Sequence, residues 1–396
     1  MRRRLYVSAA ALLAIAACSA SGAVDLRPNV GPATEEAGLA EAGPPEDAGP
    51  GLDLDAERPL ACGDAGFCET RVPRSNLGVP LSFRGVWVAG ANDVWSVTAE
   101  GWVLHYDGTS WTVEYRTNHE LHAVWASPTS VWAGGEAGLL FHRNAAGEWS
   151  RIEPGHVAAI RSIYGTSDSD VWFTRDGSAL DHFDGAKITK RAVDIPGLRI
   201  TSVFGRMDVG TYALGHVLGE RSDAGTMLDE PRAFELAGGD IAPFNPSLPQ
   251  TRGFVPLAGF VTNSVDPDRR IFMAGYVRHR EDGAPEQFHF AHVLFGGASA
   301  VAIVTPPEPG ILNPPQQGNV SRHVLEMRFP GLNYKASDIR LPLHMWQVLR
   351  WNGQGLTSAS LAMGRDVPPT PIFGAHAGAT ESWIVGEGFA LKGANP

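Results

Sequence analysis

A recurrence of about forty residues is the feature that most constrains this 396-residue chain. An apolar residue followed by an aromatic one opens each unit, at Val86-Trp87, Val124-Trp125, Ile163-Tyr164 and Val203-Phe204. The aromatic positions are 87, 125, 164 and 204, so the successive spacings are 38, 39 and 40 residues. Further landmarks repeat between them, and in the first unit these are Asp93-Val94-Trp95, Leu104-His105-Tyr106-Asp107-Gly108 and Trp111-Thr112.

Each unit divides into four short strands. The first unit predicts strands over 84–89, 93–98, 102–107 and 110–115, which are rich in Val, Trp and Tyr. Asp-Gly pairs, as at Asp107-Gly108, supply the residues that tight hairpin turns prefer. No long segment keeps a helical period without an interrupting Gly or Pro. The sequence therefore predicts an all-β chain, a β-propeller built from four-stranded blades.

The rest of the chain sets the number of blades. Weaker units are indicated by segments 254–262, 271–278, 288–295, 323–329, 346–351 and 356–361. The last unit stops after a third strand near 389–391, and the segment 67–72 precedes the first unit by a suitable distance. We predict about seven blades, with six or eight as alternatives, and a last blade closed by this N-terminal strand. Such closure joins the two ends of the ring and leaves no exposed sheet edge.

Two longer segments interrupt the repeats. They span 220–253 and 305–320, and the second contains five prolines, which favour a stiff, extended chain. Long loops on a rigid scaffold often carry recognition, so we interpret both as candidate recognition loops, with neutral surface insertion as the alternative.

The first residues predict export. Arg2, Arg3 and Arg4 precede a nine-residue apolar stretch, Ala9 to Ala17, which is too short to span a bilayer. Cys18 follows directly after Ile15-Ala16-Ala17. This arrangement resembles the bacterial lipobox, in which small residues precede a cysteine that is lipidated and becomes the mature N-terminus. The resemblance implies a lipoprotein signal peptide over 1–17, lipidation of Cys18 and, with Ser19 next, an outer-membrane location. The alternative is an ordinary secretory peptide.

A tether and a small disulfide loop are predicted next. Residues 18–61 contain no aromatic side chain, and 19–61 hold nine acids against Arg27 and Arg58, which gives a charge of −7. Such a segment cannot bury enough apolar surface to fold, so we predict a disordered acidic tether before a propeller domain over 62–396. Cys62 and Cys68 are the two remaining cysteines, and export favours a disulfide between them. A metal pair or two free thiols are the alternatives.

The repeats also resemble a known family. The pattern of Val-Trp, then Asp-Val-Trp, then Leu-His-Tyr-Asp-Gly, then Trp-Thr is similar to the Trp-rich propeller repeats of secreted bacterial envelope lipoproteins of the myxobacterial type. It is more distantly similar to Asp-box and YVTN-type propellers. The sialidase Asp-box is not matched, because Gly108 follows Asp107 directly.

Candidate chemical residues have structural interpretations beside the functional ones. His105, His142 and His182 lie in register, but equivalent positions of different blades are far apart, and Arg350 shares that register, so we favour a structural role over a metal ring. Segment 168–170 lacks the remaining ligands of a calcium loop, so turn capping is favoured there. Trp102 is out of register and follows Gly101, so we interpret it as a possible exposed stacking surface for sugar or peptide.

The function predicted from the sequence is binding. The chain has no catalytic fingerprint that we recognise, and its net charge of −11 argues against a nucleic-acid partner. We expect a lipid-anchored envelope protein whose propeller is a non-catalytic binding or scaffold module for a protein or glycan, without cofactor or metal. The alternatives are a secreted propeller hydrolase or lyase with an active site at the channel mouth, and a purely structural envelope component.

Overall fold

The computed structural model describes residues 60–175, 177–219, 229–244, 254–261, 271–279, 287–295, 301–304, 332–335, 338–343, 347–351, 356–360 and 372–394. The predicted signal peptide, Cys18, the tether before residue 60, the 305–320 segment and the predicted strand at 323–329 lie outside these ranges. Within them the chain is all-β, as predicted, with a single 3-10 turn at Glu136–Gly138. None of the described residues forms a helix long and apolar enough to cross a membrane.

The strands follow one another as hairpins. A short strand, β1 (Phe67–Glu69), comes first. Blade 1 consists of β2 (Phe83–Gly90), β3 (Asp93–Thr98), β4 (Trp102–Tyr106) and β5 (Trp111–Arg116). Blade 2 consists of β6 (Leu121–Ala126), β7 (Val131–Gly135), β8 (Leu140–Arg143) and β9 (Trp149–Ile152). Blade 3 consists of β10 (Ile163–Ser167), β11 (Asp170–Thr174), β12 (Ala179–Phe183) and β13 (Ile188–Ala192).

The same order holds in the later blades. Blade 4 consists of β14 (Leu198–Arg206), β15 (Gly210–Val217), β16 (Glu230–Ala237) and β17 (Asp240–Phe244). Blade 5 consists of β18 (Phe254–Val261), β19 (Ile271–His279), β20 (Gln287–Phe295) and β21 (Val301–Val304). Blade 6 consists of β22 (Leu332–Lys335), β23 (Asp338–Leu343), β24 (Gln347–Trp351) and β25 (Leu356–Ser360). Together with blade 7, described next, the described residues contain seven four-stranded sheets, which confirms the predicted blade number.

The last blade is closed by the N-terminal strand, as predicted. Blade 7 takes β26 (Ile372–Ala377), β27 (Glu381–Gly386) and β28 (Phe389–Ala394) from the C-terminus, and β1 is its fourth strand. Phe67 pairs with Gly393 and Glu69 with Leu391 in antiparallel register. The Trp111 indole N–H of blade 1 donates to the Thr70 hydroxyl, which donates to the Ala390 carbonyl, at 3.2 and 2.9 Å. These contacts join blades 7 and 1 through both ends of the chain.

The first strand of each blade is the inner one. Inner strands contact each other around the ring, β26 with β2, β2 with β6, β6 with β10, β10 with β14 and β14 with β18. We call the end where the inner strands begin, which holds the connections between blades, the connection end. The opposite end, which holds the turns after the inner strands, is the turn end. Close packing at the axis requires small residues there, since a Cβ on Gly85 would lie 2.9 Å from the His122 carbonyl oxygen.

The aromatic residues that mark the repeat lie on neighbouring strands. Trp87 pairs with Trp95, Trp125 with Trp132 and Tyr164 with Trp172. Most of these rings are buried between blades, and Trp132, Trp172 and Trp383 have no exposed surface at all. Burial of such large side chains between these blades contributes much of the stability of their contacts.

Part of one predicted interruption is regular structure. The segment 220–253 was expected to break the repeat, yet β16 and β17 of blade 4 lie within it. The prediction was wrong because Pro231, Pro243 and the Gly238-Gly239 pair look like breakers in the sequence. In the structure, Gly238 and Gly239 form the tight turn between the two strands, with φ of 59° and 86°. Positive φ at two adjacent residues is what a two-residue hairpin turn requires.

Candidate functional site

Blades 1 and 3 contain the same three-residue network. In blade 1, the Asp93 carboxylate accepts the Trp95 indole N–H at 2.9 Å and lies 2.9 Å from Nε2 of His105. In blade 3, Asp170 relates in the same way to Trp172 and His182, at 3.1 and 2.8 Å. The imidazoles stack on the indoles, with ring centroids 4.4 Å apart in blade 1 and 4.2 Å apart in blade 3. We call this arrangement the Asp–Trp–His network.

Blades 2 and 7 vary the network. In blade 2, Trp132 and His142 stack at 4.2 Å, but Ser130 stands where blades 1 and 3 have Asp, and the indole nitrogen of Trp132 is buried without a hydrogen-bond partner. In blade 7, Glu381 accepts the Trp383 N–H at 3.0 Å, and Lys392 replaces the His and lies 2.7 Å from the same carboxylate. In blades 1, 2, 3 and 7 the polar partner varies, while the buried tryptophan is kept.

These networks account for the histidines in register. His105, His142 and His182 each contact the tryptophan of their own blade, and the described residues contain no group of three potential metal ligands. Hydrogen bonding to His105 lowers the pKa of Asp93, and hydrogen bonding to His182 lowers the pKa of Asp170. The carboxylates are therefore held ionised as acceptors, which is a packing function.

Asp168 joins two blades. Its carboxylate accepts from the hydroxyls of Ser127, Thr129 and Ser130 in the turn of blade 2, with Ser130 at 2.7 Å. Burial acts to raise the pKa of Asp168, but these hydrogen bonds outweigh it and the pKa lies below its ordinary value. The predicted role as a cap of its own turn is corrected, because Asp168 connects blade 3 to blade 2. The three hydroxyls come from a turn that an alignment of repeats does not mark as special.

Aromatic rings from four inner strands meet near the turn end. Trp87 stacks on His376 with ring centroids 4.0 Å apart. It also contacts Trp125 in a tilted arrangement at 6.3 Å and Tyr164 edge-on at 5.9 Å. His376 accepts the Val88 backbone N–H through Nδ1 at 3.0 Å, and burial lowers its pKa to about 4. Burial also raises the pKa of Tyr164. These four side chains, which we call the axial aromatic cluster, join blades 7, 1, 2 and 3 at one level.

A chain of charges lies closer to the connection end. Arg84 Nε lies 2.6 Å from Glu120 Oε1, His122 Nε2 lies 2.5 Å from Glu136 Oε1, and Arg161 Nη2 lies 3.1 Å from the same Glu136 oxygen. The His122 Nδ1 atom faces Glu120 at 3.7 Å, so one imidazole stands between two carboxylates. We call these five residues the charged chain. It connects the first residues of three inner strands and their neighbouring loops.

The charged chain does not have the electrostatics of an acid–base pair. Burial acts to raise the pKa of Glu136, but the hydrogen bond from His122 and the charges of His122 and Arg161 outweigh it, so the pKa lies below its ordinary value. A carboxylic acid that donates a proton near neutral pH needs a raised pKa. The arrangement instead fits a network of ion pairs that holds blades 1, 2 and 3 in register.

A buried Asp–His pair has a similar explanation. Asp181 is 1% exposed and lies 2.7 Å from His156 Nε2 and 2.9 Å from Arg175 Nη1. The other ring nitrogen of His156 accepts the Ala158 backbone N–H at 3.0 Å. In a catalytic pair the second nitrogen has to face a nucleophile or substrate. Both nitrogens of His156 are occupied within the protein, so this pair fastens the connection between blades 2 and 3.

The structure corrects one candidate site residue and contains the predicted disulfide. Trp102 is only 8% exposed, and the Arg116 guanidinium lies over its ring at 4.0 Å from the centroid. Trp102 belongs to the core between blades 7 and 1, so the exposed surface expected there is absent. Cys62 and Cys68 form the disulfide, beside β1 at the outer edge of blade 7.

Most of the residues in these networks were missed from the sequence. The Arg84–Glu120 and His156–Asp181 partners lie 36 and 25 positions apart, on different blades or connections. The one available signal is that Asp181 stands where the other units have Leu or Phe, as at Leu104 and Phe141. A charge at an otherwise apolar repeat position indicates a partner supplied from elsewhere in the fold.

Comparisons with known proteins support the fold. No protein-family model and no curated protein matches the chain. Among solved structures, virginiamycin B lyase from Staphylococcus aureus is similar at a TM-score of 0.56, with 12% identity over 83% of this chain and 99% of that one. YCF48 from Cyanidioschyzon merolae gives 0.54, with 12% identity over 84% and 99%. The WD40 propeller domain of Doa1 gives 0.50, with 11% identity over 84% and 96%. At such identities the likeness shows a β-propeller fold.

Proposed function

We propose that this protein is a lipid-anchored component of the bacterial outer membrane whose propeller is a non-catalytic binding or scaffold module for a protein or a glycan. The observation that carries the proposal is the way the polar residues between and within the blades are used. The Asp–Trp–His networks, the charged chain and the His156–Asp181 pair consist of contacts that the protein makes between or within its own blades. A rigid ring whose polar side chains maintain its own packing is suited to presenting a surface.

The anchor and the location rest on the N-terminal sequence and the disulfide. Cys18 ends a short apolar segment in the manner of a lipobox, and we propose that it carries the lipid. The Cys62–Cys68 disulfide in the structure supports export to an oxidising compartment, because such bonds are rare in the cytoplasm. The proposed partners are the membrane, through the lipid, and a protein or glycan ligand.

Solved propellers illustrate both kinds of use. One similar structure is described as YCF48 bound to D1 peptide, and others are WD40 propellers, whereas virginiamycin B lyase is an enzyme by name. A hydrolase or lyase function for this chain would need a carboxylic acid of raised pKa or a histidine with an open ring nitrogen. Among the described residues, the pKa of Glu136 is lowered, both ring nitrogens of His156 are occupied, and Nδ1 of His182, which has no partner, is buried away from any substrate. We therefore keep binding as the proposed function.

The anchor is tested by Cys18→Ala in the full chain. We expect the protein to leave the membrane fraction and to lose incorporation of labelled palmitate. A matched control is the Cys62→Ala/Cys68→Ala pair, which removes the other two cysteines and should keep both membrane association and label. Retention of the Cys18→Ala variant in membranes, at the level of the unchanged chain, would refute the anchor.

The binding function is tested by photo-crosslinking of the full chain in intact cells. A photoreactive residue at Asp184, in a turn-end loop, should give a discrete adduct with one protein or glycan. Deletion of 305–320 should weaken the adduct if that segment takes part in recognition, and an unchanged adduct would remove the segment from the proposal. The absence of any discrete adduct from several turn-end and side positions would favour the structural alternative.

A further inference from the structure

The axial aromatic cluster contains four hydrogen-bond donors that have no acceptor in the described part of the protein. These donors are the indole N–H groups of Trp87 and Trp125, the Tyr164 hydroxyl and the Nε2–H group of His376. None of the four makes a hydrogen bond to the protein, and none is sealed from water. The indoles of Trp95, Trp172 and Trp383, by contrast, donate to carboxylates of their own blades. The cluster therefore differs from the tryptophans that pack the blades together.

All four donors are protonated and uncharged near neutral pH. The Val88 backbone N–H donates to Nδ1 of His376 at 3.0 Å, so the proton of the neutral imidazole is on Nε2. Burial lowers the pKa of His376 to about 4 and raises the pKa of Tyr164, which keeps the imidazole neutral and the hydroxyl protonated. This state does not suit a general base, because the open nitrogen already carries the proton. Of the four side chains, only Tyr164 can also accept a hydrogen bond.

Solvent reaches the cluster within the ring of blades. Trp87 and His376 are half-buried, whereas Trp125 and Tyr164 are 2% and 3% exposed. Because burial still lowers the pKa of His376 so far, its accessible surface faces an enclosed space and not bulk water. Two positions nearer the turn end, the same four blades have small, half-buried residues, which are Ala89, Ser127, Thr166 and Gly378. These blades therefore place no bulky side chain at those positions between the cluster and the turn end.

Two of the rings are held against neighbouring backbone. A Cβ on Gly165 would lie 2.9 Å from Cζ2 of Trp125, and one on Gly205 would lie 2.5 Å from Cε1 of Tyr164. Each ring therefore lies on the inner strand of the next blade, which has no side chain at that position. Donors that are fixed in this way lose little conformational entropy when a ligand binds.

The cluster suits an uncharged ligand that is rich in acceptors. Among the described residues, no charged side chain is hydrogen-bonded to any of the four rings. The charges that act on Tyr164 already have partners, since Asp170 contacts His182 and Asp208 pairs with Arg206. An ionised ligand would lose its hydration without gaining a counter-charge, which is costly in an enclosed site. A neutral ligand with oxygen acceptors meets the donors without that cost.

A sugar that carries an acetamido group meets these requirements. Its carbonyl oxygen accepts hydrogen bonds, its methyl group packs on an aromatic ring, and the C–H face of the pyranose stacks on an indole. A peptide segment fits less well, because its backbone N–H groups need acceptors and the Tyr164 oxygen is the only acceptor among the four side chains. The observations therefore favour a glycan over a protein as the ligand at this place.

We propose that the axial aromatic cluster is a glycan-binding site, which takes a neutral sugar with an N-acetyl group from the turn end. This inference rests on the proposed binding function and names its ligand class and its place. The acetamido carbonyl accepts the hydrogen bonds of the cluster, and the pyranose covers the accessible surface of Trp87. The site uses polar groups that have no structural partner, so the packing of the blades does not depend on them.

The test compares two tetrasaccharides with the same backbone. N-Acetylchitotetraose and cellotetraose are both β-1,4-linked, but each sugar of the first has an acetamido group where the second has a hydroxyl. Isothermal titration calorimetry measures both affinities, with the full chain carrying Cys18→Ala so that it is not acylated. We expect N-acetylchitotetraose to bind about tenfold more tightly, because a site with unpaired polar groups discriminates against a ligand that lacks the matching group.

Paired tyrosine variants separate binding from folding. Tyr164→Phe removes a hydroxyl without a protein partner, so it should weaken N-acetylchitotetraose binding about tenfold and leave the urea midpoint unchanged. Tyr106→Phe is the matched control, because the Tyr106 hydroxyl donates to the Gly108 carbonyl at 3.0 Å outside the cluster. It should lower the urea midpoint and leave binding unchanged. Trp87→Phe keeps an aromatic ring but removes the indole N–H, and it should also weaken binding.

Two results would overturn the proposal. One is equal affinity for the two tetrasaccharides, or binding of neither. The other is binding of N-acetylchitotetraose that Tyr164→Phe and Trp87→Phe leave unchanged, since the sugar would then bind elsewhere. Failure of this site and failure of the binding function are distinguishable, because a discrete protein adduct in the photo-crosslinking experiment would keep the binding function and assign it to a protein partner.

Discussion

Blade 2 differs from blades 1 and 3 in one residue of the Asp–Trp–His network, and the difference separates two sources of stability. Trp132 stacks on His142 at 4.2 Å, the same distance as Trp172 on His182, although no carboxylate accepts its indole N–H. Both tryptophans have no exposed surface. Burial and stacking therefore fix the Trp–His pair, and the carboxylate in blades 1 and 3 supplies the acceptor that the indole N–H of blade 2 lacks.

The largest expected effect is loss of the tryptophan itself. Trp172→Ala and Trp132→Ala should each lower the free energy of unfolding by about 3–5 kcal/mol, because each removes a fully buried indole from the inter-blade core. The comparison predicts similar losses in the two blades. Denaturant unfolding followed by fluorescence measures them. A much smaller loss for Trp132→Ala would mean that the carboxylate, and not burial, fixes the pair.

The second effect depends on pH and concerns the axis. Blade 7 has His376 where blades 1 and 2 have Trp87 and Trp125, and burial lowers the pKa of His376 to about 4. The unfolded chain binds this proton near pH 6.5, so stability falls as pH decreases from about 6.5 and levels off below about 4, by at most ~3 kcal/mol. His376→Gln keeps an acceptor for the Val88 N–H and should flatten this part of the profile. Unfolding midpoints from pH 7 to 4 measure it, and parallel profiles for the two proteins would contradict the assignment.

The third effect is loss of the carboxylate. Asp170→Ala leaves the Trp172 indole N–H and the His182 imidazole without their shared acceptor, and should cost about 2–3 kcal/mol. Ser130→Ala, at the matching position of blade 2, removes one of the three hydroxyl groups that donate to Asp168 and should lower the free energy of unfolding by about 1 kcal/mol. Equal costs at the two positions would show that Ser130 has the same role as Asp170. Urea midpoints of the full chain report both values.

The smallest effect tests whether blade 2 can be converted. Ser130→Asp alone places a carboxylate beside Asp168, whose oxygen is 2.7 Å from the Ser130 hydroxyl, so repulsion should cancel the gain. The pair Ser130→Asp/Asp168→Ser should be more stable than Ser130→Asp by about 1–2 kcal/mol, because the Trp132 N–H then has an acceptor. The matched control is Asp168→Ser alone. If Ser130→Asp alone were as stable as the double variant, the repulsion expected from Asp168 would be contradicted.

The sequence was sufficient to predict the propeller fold, but not the polar contacts that join its blades. The recurrence from Trp87 to Phe204 predicted the blades, and the truncated C-terminal unit predicted closure by Phe67, because strand patterns repeat along the chain. Blade 4 was misread at Pro231 and Gly238-Gly239, since residues that interrupt one strand also form the turn between two. The charged chain joins Arg84, Glu120 and Glu136 of neighbouring blades, and pairs of this kind leave no local pattern.

The exposure of Trp102 was also predicted incorrectly from the sequence. Its place after Gly101 indicated a strand start, which is correct, but the sequence does not reveal that Arg116 of the adjacent strand covers the ring. Exposure is a property of the neighbours that the fold brings together. Residues outside the repeat are therefore the ones for which a structure adds most.

Closure by β1 makes the ring depend on two segments that are far apart in the sequence. β1 is synthesised long before its partner β28 at Phe389–Ala394, so it has no sheet to join until that strand has been made. Loss of β28 would leave Phe67, which is 1% exposed in the closed ring, open to water. An unfinished ring would therefore present an apolar edge that chaperones and proteases can recognise.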